Sequence, residues 1–282
     1  MKILVTGATG FVGCYVIDEL LSRGCLVVAS STNQITAAKK KWFSKTVYVE
    51  HDIHSSVNEN LFIKFHQPDI AIHLAWGELN NFKSKVHLEK ILPAHIFFLE
   101  SLIKSGLEDF TCTGTCLEYG MLEGELDEEM IVAPTVAYAI AKDKLRKELE
   151  GLQEKYKFSS KWVRLFYMFG IGQSSKAILP LLDDALSNNK EVFNMSLGEQ
   201  LRDYLPIEAV AENIVNLALQ NKVEGVINCC SGVPISIKEL VLNYMKDRKK
   251  VIKLNLGYYP YPDYEPFEFW GSKEKLKSIV ND

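Results

Sequence analysis

The apolar positions of this chain switch repeatedly between continuous runs and a spacing of three to four, which divides it into alternating strands and helices. Ile3-Leu4-Val5 is an unbroken apolar run that stops at Thr6-Gly7, the pattern of a strand buried on both faces. Val12, Val16 and Leu20 then recur at i, i+4 and i+8, the stripe of an amphipathic helix that Gly24 closes. Leu26-Val27-Val28-Ala29 is a second buried strand. The same alternation predicts helix 37–43, strand 47–49, helix 57–65, strand 70–74, helix 84–105 in spite of Pro93, and strand 109–113. A polar loop over 118–134 separates these from helix 135–156 and strand 161–166. Beyond Gly172 the order is less regular: helix 175–188, strands near 192–195 and 201–205, helix 207–220, strand 226–229, helix 236–247 and an aromatic, proline-rich tail over 258–270. Strands alternating with helices predict an α/β fold, a doubly wound parallel sheet with a smaller C-terminal lobe. We expect residues 1–170 to form the sheet domain, with 207–230 returning to it, and 171–282 to form mainly a substrate-binding lobe.

Composition narrows the function class. The chain has 282 residues, a net charge of −4 and a pI near 5.9, which gives no electrostatic case for nucleic acid or an anionic membrane. No apolar run approaches the roughly 18 residues of a membrane span, and glycines interrupt the N-terminal run after Val5, so a cytoplasmic protein is expected. Six cysteines, Cys14, Cys25, Cys112, Cys116, Cys229 and Cys230, lack zinc spacing and read as reduced, buried hydrophobes, and no metal site is expected.

The turn between the first strand and the first helix is Gly7-Ala8-Thr9-Gly10-Phe11-Val12-Gly13. Gly7 lets the chain leave the strand in a conformation closed to other residues, Gly10 allows close approach of a pyrophosphate, and Gly13 allows the helix to pack on the turn. Free N–H groups at a helix start attract that anion, so the turn predicts a bound dinucleotide. The second strand ends in Ser30-Ser31-Thr32-Asn33, without the acidic residue that binds an NAD ribose 2′-OH. With Lys39 nearby, that tilts the expectation toward NADP(H) over NAD(H).

Helix 135–156 carries Tyr138 and Lys142, stacked at i, i+4 on one face. A phenol with a pKa near 10 is a poor acid or base at neutral pH, and an ammonium one turn away stabilises its anion and lowers that pKa. Thr115, at the end of the fifth strand, offers a hydroxyl to polarise a substrate carbonyl. Thr115, Tyr138 and Lys142 are therefore the expected catalytic residues.

Six ordered motifs spanning almost the whole chain resemble the extended short-chain dehydrogenases/reductases, in the NAD-dependent epimerase/dehydratase group that acts on nucleotide sugars. Thr6–Gly13 resembles the cofactor turn, which implies cofactor contacts from Gly7, Thr9, Gly10, Phe11, Val12 and Gly13. Asp52-Ile53 resembles the adenine-contacting pair, and His73-Leu74-Ala75-Trp76 resembles a segment bordering the nicotinamide ribose. Thr113–Gly120 resembles the S-S-x-x-V-Y-G segment, Tyr138 and Lys142 match Y-x-x-x-K, and Arg202-Asp203-Tyr204 matches an R-D-Y that meets the nucleotide. The resemblance adds Leu74, Ala75, Trp76, Thr113, Tyr138, Lys142 and Phe166 to the expected cofactor contacts, beside Ser30, Ser31 and Asn33 of the second strand. It implies substrate contacts from Thr115, Glu118, Tyr167 and Arg202, the last holding the nucleotide diphosphate or ribose. It also implies a Rossmann sheet and a homodimer paired through helices 84–105 and 135–156.

Departures from the family pattern narrow the reaction. Dehydratases of this group carry Asp-Glu directly after the catalytic Thr, where this chain has Cys116-Leu117. Enzymes that epimerise at C3 and C5 place a Cys two residues after that hydroxyl, where this chain has Leu117, so Cys116 reads as packing. Tyr167 replaces an Asn that contacts substrate. The resulting expectation is an NAD(P)H-dependent 4-ketoreductase of a nucleoside-diphosphate 4-keto-6-deoxysugar. A nucleotide-sugar 4-epimerase using the same residues, for which the chain is short, and a non-catalytic NAD(P)-binding regulator are the alternatives.

Overall fold

The computed structural model describes residues 1–55 and 59–280. In chain order its strands are β1 (Lys2–Thr6), β2 (Leu26–Ser31), β3 (Val47–Glu50), β4 (Ile70–His73), β5 (Asp109–Thr115), β6 (Gly124–Leu126), β7 (Ser159–Leu165), β8 (Tyr167–Phe169), β9 (Val192–Asn194), β10 (Leu201–Pro206), β11 (Gly225–Cys229), β12 (Pro234–Ser236), β13 (Lys253–Asn255) and β14 (Phe269–Gly271). The α-helices are α1 (Phe11–Ser22), α2 (Gln34–Ala37), α3 (Leu61–Lys64), α4 (Leu92–Lys104), α5 (Ala137–Gln153), α6 (Ile178–Ser187), α7 (Ile207–Leu219), α8 (Ile237–Asp247) and α9 (Glu274–Val280).

Seven strands form one parallel sheet in the order β11-β7-β5-β4-β1-β2-β3. The alternation along β1 explains its unbroken apolar run. Ile3 and Val5 join Val16, Leu20, Val210 and Ile214 of α1 and α7 on one face, while Leu4 joins Phe98, Leu99 and Leu145 of α4 and α5 on the other. Because both faces are covered by helices, the central positions Ile3, Leu4 and Val5 are all apolar, and the one buried polar residue of the strand, Thr6, pairs with His73. The direction of winding reverses between β1 and β4, and such a switch point opens a crevice at the carboxyl ends of the strands.

The later chain builds smaller layers at that edge. β10 pairs with β8 in parallel and with β12 antiparallel, β9 pairs with β13, and the tail strand β14 returns to β6. Leu182, Phe193, Met195, Val241 and Met245 form a separate apolar cluster between α6 and α8. Among the described residues no helix is long and apolar enough to cross a membrane.

Three predicted helices differ from the observed ones. The helix predicted over 37–43 forms earlier as α2, because the Asn33 carboxamide caps it by accepting from Thr36 N at 2.8 Å; a separate 3₁₀ turn follows over Phe43–Lys45. The helix predicted over 57–65 is observed as α3, and its predicted start at Val57 lies outside the described residues. The helix predicted over 84–105 begins as a wide π turn, His87–Ile91, before α4. That arrangement puts Pro93 in the first turn of α4, where its missing N–H has no partner to lose. β6, β8, β12 and β13 are three-residue strands whose partners are distant in sequence, and no local pattern announces them.

Candidate active site

The glycine turn sits at the switch point. Gly7 has φ +70°, and a Cβ there would stand 2.8 Å from the backbone N of Ala75, so β1 and the chain after β4 approach too closely for any side chain. A Cβ on Gly13 would meet the Gly7 carbonyl oxygen at 2.3 Å, so α1 starts directly on the turn. Its N-cap, Gly10, has no side chain to occupy the first N–H groups, which leaves them for an anion.

A cavity of about 710 Å³ opens above this turn, and most of the expected residues line it. At one end lie Ser30, Ser31, Asp52 and Ile53, and along the turn Gly7, Thr9, Gly10, Phe11, Val12 and Gly13. Leu74, Ala75 and Trp76 follow β4, and Thr113, Thr115, Tyr138, Lys142, Phe166 and Tyr167 close the other end. The volume, the cradle that admits no Cβ and the uncapped helix start together fit a dinucleotide. Its adenine half would meet Asp52 and Ile53, and its nicotinamide half would meet Tyr138 and Lys142.

Tyr138 is placed in the first turn of α5, with its backbone N donating to the Phe82 carbonyl at 3.0 Å. Its ring packs near Trp76, Phe82 and His87, with centroids 6.0, 5.7 and 5.4 Å away. The expected lowering of its pKa by Lys142 is not what the structure produces. Burial pushes the Tyr138 hydroxyl up, with Glu118 and Cys116 adding to the rise and Thr115 opposing it. Lys142 is directed elsewhere: its ammonium donates to the Thr113 carbonyl at 2.8 Å and lies 4.0 Å from the centroid of the Trp76 ring.

Burial lowers Lys142 from the usual lysine value to about 8. The unfolded chain therefore binds more protons than the folded one between pH 8 and 10.5. This group's contribution to stability is full above 10.5 and is lost as pH falls through 8. Near neutrality the buried ammonium costs on the order of 3 kcal/mol, set against about 1 kcal/mol for the bond to Thr113. Lys142→Met is accordingly expected to melt no lower than wild type at pH 7 while losing turnover. A scanning-calorimetry Tm several degrees below wild type would show that the ammonium stabilises the fold.

Three expected binding residues do not line the cavity. Asn33 uses its side chain to cap α2, and Thr32 lines the cavity in its stead. Glu118 is fully buried behind Thr115. Its carboxylate accepts from Arg164 Nε at 2.8 Å, Trp162 Nε1 at 3.0 Å and Thr115 N at 2.9 Å. Thr115 in turn accepts from Leu117 N at 3.3 Å, so Thr115 and Glu118 form a capping box on the 3₁₀ turn Cys116–Tyr119. Arg202, expected to hold a diphosphate, is 2% exposed. It donates to the carbonyls of Leu201, Phe267 and Pro266 and to the Glu265 carboxylate, which ties the tail to β10.

The cavity also takes residues that the sequence reading missed, among them His54, Phe82, His95, Gln173 and Glu265. His54 lies two residues past Asp52, whose carboxylate accepts from its N–H at 2.9 Å, an Asx turn that a D-x-H pattern could have suggested. His95 shares a 2.8 Å hydrogen bond with His73, which in turn bonds Thr6 at 2.9 Å, and burial holds His73 at about 3, permanently neutral. Glu265 comes from the tail and has no local signal. Cys116 is a buried thiol whose pKa burial raises, and all six cysteines are free.

Residues 3–230 match the profile of the NAD dependent epimerase/dehydratase family. A dTDP-6-deoxy-L-talose 4-dehydrogenase (NAD(+)) of Aggregatibacter actinomycetemcomitans is 27% identical over 97% of this chain and 100% of its own length. A dTDP-4-dehydro-6-deoxyglucose reductase of Escherichia coli is 23% identical over 89% of this chain and 83% of its own. The structure of a UDP-glucose 4-epimerase with UDP-glucose from Thermotoga maritima superposes with a TM-score of 0.84 at 21% identity, covering 100% of this chain and 93% of that one. With a family match across most of its length and a seven-stranded parallel sheet of the Rossmann type, the chain belongs to the NAD dependent epimerase/dehydratase family.

Proposed function

We propose that the chain is an NAD(H)-dependent oxidoreductase of nucleotide sugars, and specifically a 4-ketoreductase of a nucleoside-diphosphate 4-keto-6-deoxysugar. The observation that carries this is the convergence of Thr115, Tyr138 and Lys142 on one end of the dinucleotide-sized cavity, with no acid/base pair beside Thr115. A nicotinamide dinucleotide bound in the cavity supplies the hydride. Tyr138 donates its phenolic proton to the C4 oxygen, and the burial that raises its pKa keeps that proton in place at neutral pH. Thr115 donates a hydrogen bond to the same oxygen. Lys142, anchored on the Thr113 carbonyl and lining the same end of the cavity, binds the nicotinamide ribose, and with a pKa near 8 it can supply a proton once the phenol has given up its own. A sensor of cofactor has no need of all three groups. Cys116, a neutral thiol, and Leu117 offer no base for eliminating water, which argues against a dehydratase.

The cofactor half of the reading departs from the first expectation. Ser30, Ser31 and Thr32 line the adenine-ribose end, whereas Lys39 does not, and no other Lys or Arg among the described residues lines that end. A 2′-phosphate would lack its cation, which favours NAD(H). The relative whose name carries NAD(+) agrees with this. The reading includes a homodimer: α4 and α5 pack side by side, and Phe97 on α4 is 52% exposed.

The test is absorbance of the reduced cofactor with dTDP-4-keto-6-deoxyglucose and NADH or NADPH. One nicotinamide consumed per sugar, with kcat/KM for NADH at least about tenfold above NADPH, is the expected result. Interconversion of two nucleotide hexoses with no net change in cofactor would replace the reductase with the 4-epimerase.

A further inference from the structure

We infer that Glu265 selects the sugar, so that the cavity accepts an uncharged hexose ring and rejects one bearing a carboxylate; this rests on the nucleotide-sugar reading above. Glu265 lines the cavity, and its side chain is 11% exposed. The carboxylate is held from two sides. Tyr167 Oη donates to Oε1 at 2.6 Å and Arg202 Nη2 donates to Oε2 at 3.0 Å. A carboxylate has about four acceptor sites, so each oxygen keeps capacity for a sugar hydroxyl.

The paired cation does not cancel this from the ligand's side. Both terminal nitrogens of Arg202 are engaged, Nη1 by the carbonyls of Leu201 and Phe267 and Nη2 by Glu265 and Pro266, and Arg202 does not line the cavity. An entering ligand meets the anion, with the guanidinium behind it. Glu265 also stands near the reacting end. Glu265 lines the same cavity as Tyr138 and Cys116, and Tyr264, the residue before Glu265, packs 6.4 Å from the Phe82 ring that flanks Tyr138. A sugar placed for reduction therefore shares its cavity with a carboxylate. Its hydroxyls can donate to that group, whereas a uronate would bring a like charge into a poorly solvated space.

The measurement is calorimetric affinity of the NAD⁺-loaded protein for UDP-glucose against UDP-glucuronate, repeated with the dTDP pair. Wild type is expected to bind the glucose nucleotides about 100-fold more tightly, the scale of one like-charge contact. Glu265→Gln should narrow the ratio to within about tenfold, mainly by strengthening uronate binding, with NAD⁺ affinity unchanged. Should Glu265→Gln unfold, the paired variant Arg202→Met with Glu265→Leu, which removes both charges, is expected to narrow the ratio likewise. Tyr167→Phe keeps the charge and should leave the ratio as it is in wild type. Equal binding of both sugars by wild type, or an unchanged ratio in the charge-removing variant, overturns the inference. If neither sugar nucleotide binds, the nucleotide-sugar reading falls and takes the inference with it. If both bind with the expected ratio but the 4-keto sugar is not reduced, only the assigned reaction is lost.

Discussion

Tyr138→Phe is expected to lower kcat for ketone reduction by a factor on the order of 10²–10⁴, the range of a general acid, while leaving cofactor affinity and Tm near wild type. The substitution deletes one oxygen and keeps the ring among Trp76, Phe82 and His87. The lost hydroxyl interacts with Thr115, so little packing goes with it. The elevated pKa adds a pH signature. Reduction uses the neutral phenol and should stay level through neutral pH, declining in alkali first as Lys142 loses its proton from about pH 8 and further up as the phenol ionises. Oxidation of the alcohol needs the phenolate and should quicken as pH rises. A Tyr138→Phe protein that works within a few-fold of wild type, or a reduction rate that climbs with pH, would remove Tyr138 from the proton-transfer step.

Glu118→Ala is expected to destabilise the protein by about 3–5 kcal/mol, the cost of leaving a buried partner charge uncompensated. Arg164, 2% exposed, would lose its carboxylate, and the Thr115 N–H and Trp162 indole would lose their acceptor. At about 2–4 °C per kcal/mol the Tm should fall by roughly 10 °C. Because the same carboxylate holds the backbone of Thr115, the folded fraction should also turn over more slowly. Glu118→Gln, which keeps an acceptor, should lose less. If Glu118→Ala melts within about 2 °C of wild type and its main defect is a higher KM for the nucleotide sugar, then Glu118 touches substrate after all.

The residues that the sequence made legible are those whose chemistry depends on near neighbours in the chain. The glycine turn, Thr115, and the Tyr138–Lys142 pair each lie within one strand–turn–helix unit, where spacing dictates direction, and all of them line one cavity. Glu118 and Arg202 were misread because a motif names a residue without saying which way its side chain faces. Thr115-x-x-Glu118 was also a capping box, and that local reading describes what the structure contains. The Tyr138 pKa was misread for a related reason. The i, i+4 spacing put Lys142 on the same helix face, but the direction of its ammonium depended on the Thr113 carbonyl and the Trp76 ring, supplied by β5 and by the chain after β4.

The sequence by itself determined the alternation of buried strands and amphipathic helices, the parallel winding that follows from it, and the anion-ready turn at its first crossover. Each of these depends on periodicity or backbone freedom, properties of contiguous residues. Only the tertiary structure decided that Glu265 enters the cavity while Arg202 leaves it, that Glu118 braces Thr115 from behind, and that Asn33 caps a helix. Those outcomes required segments as far apart as 98 residues, as in Tyr167 Oη to the Glu265 carboxylate, to compete for the same few donors and acceptors. Most buried polar groups end with a partner, and which partner is free depends on the packing of the whole chain.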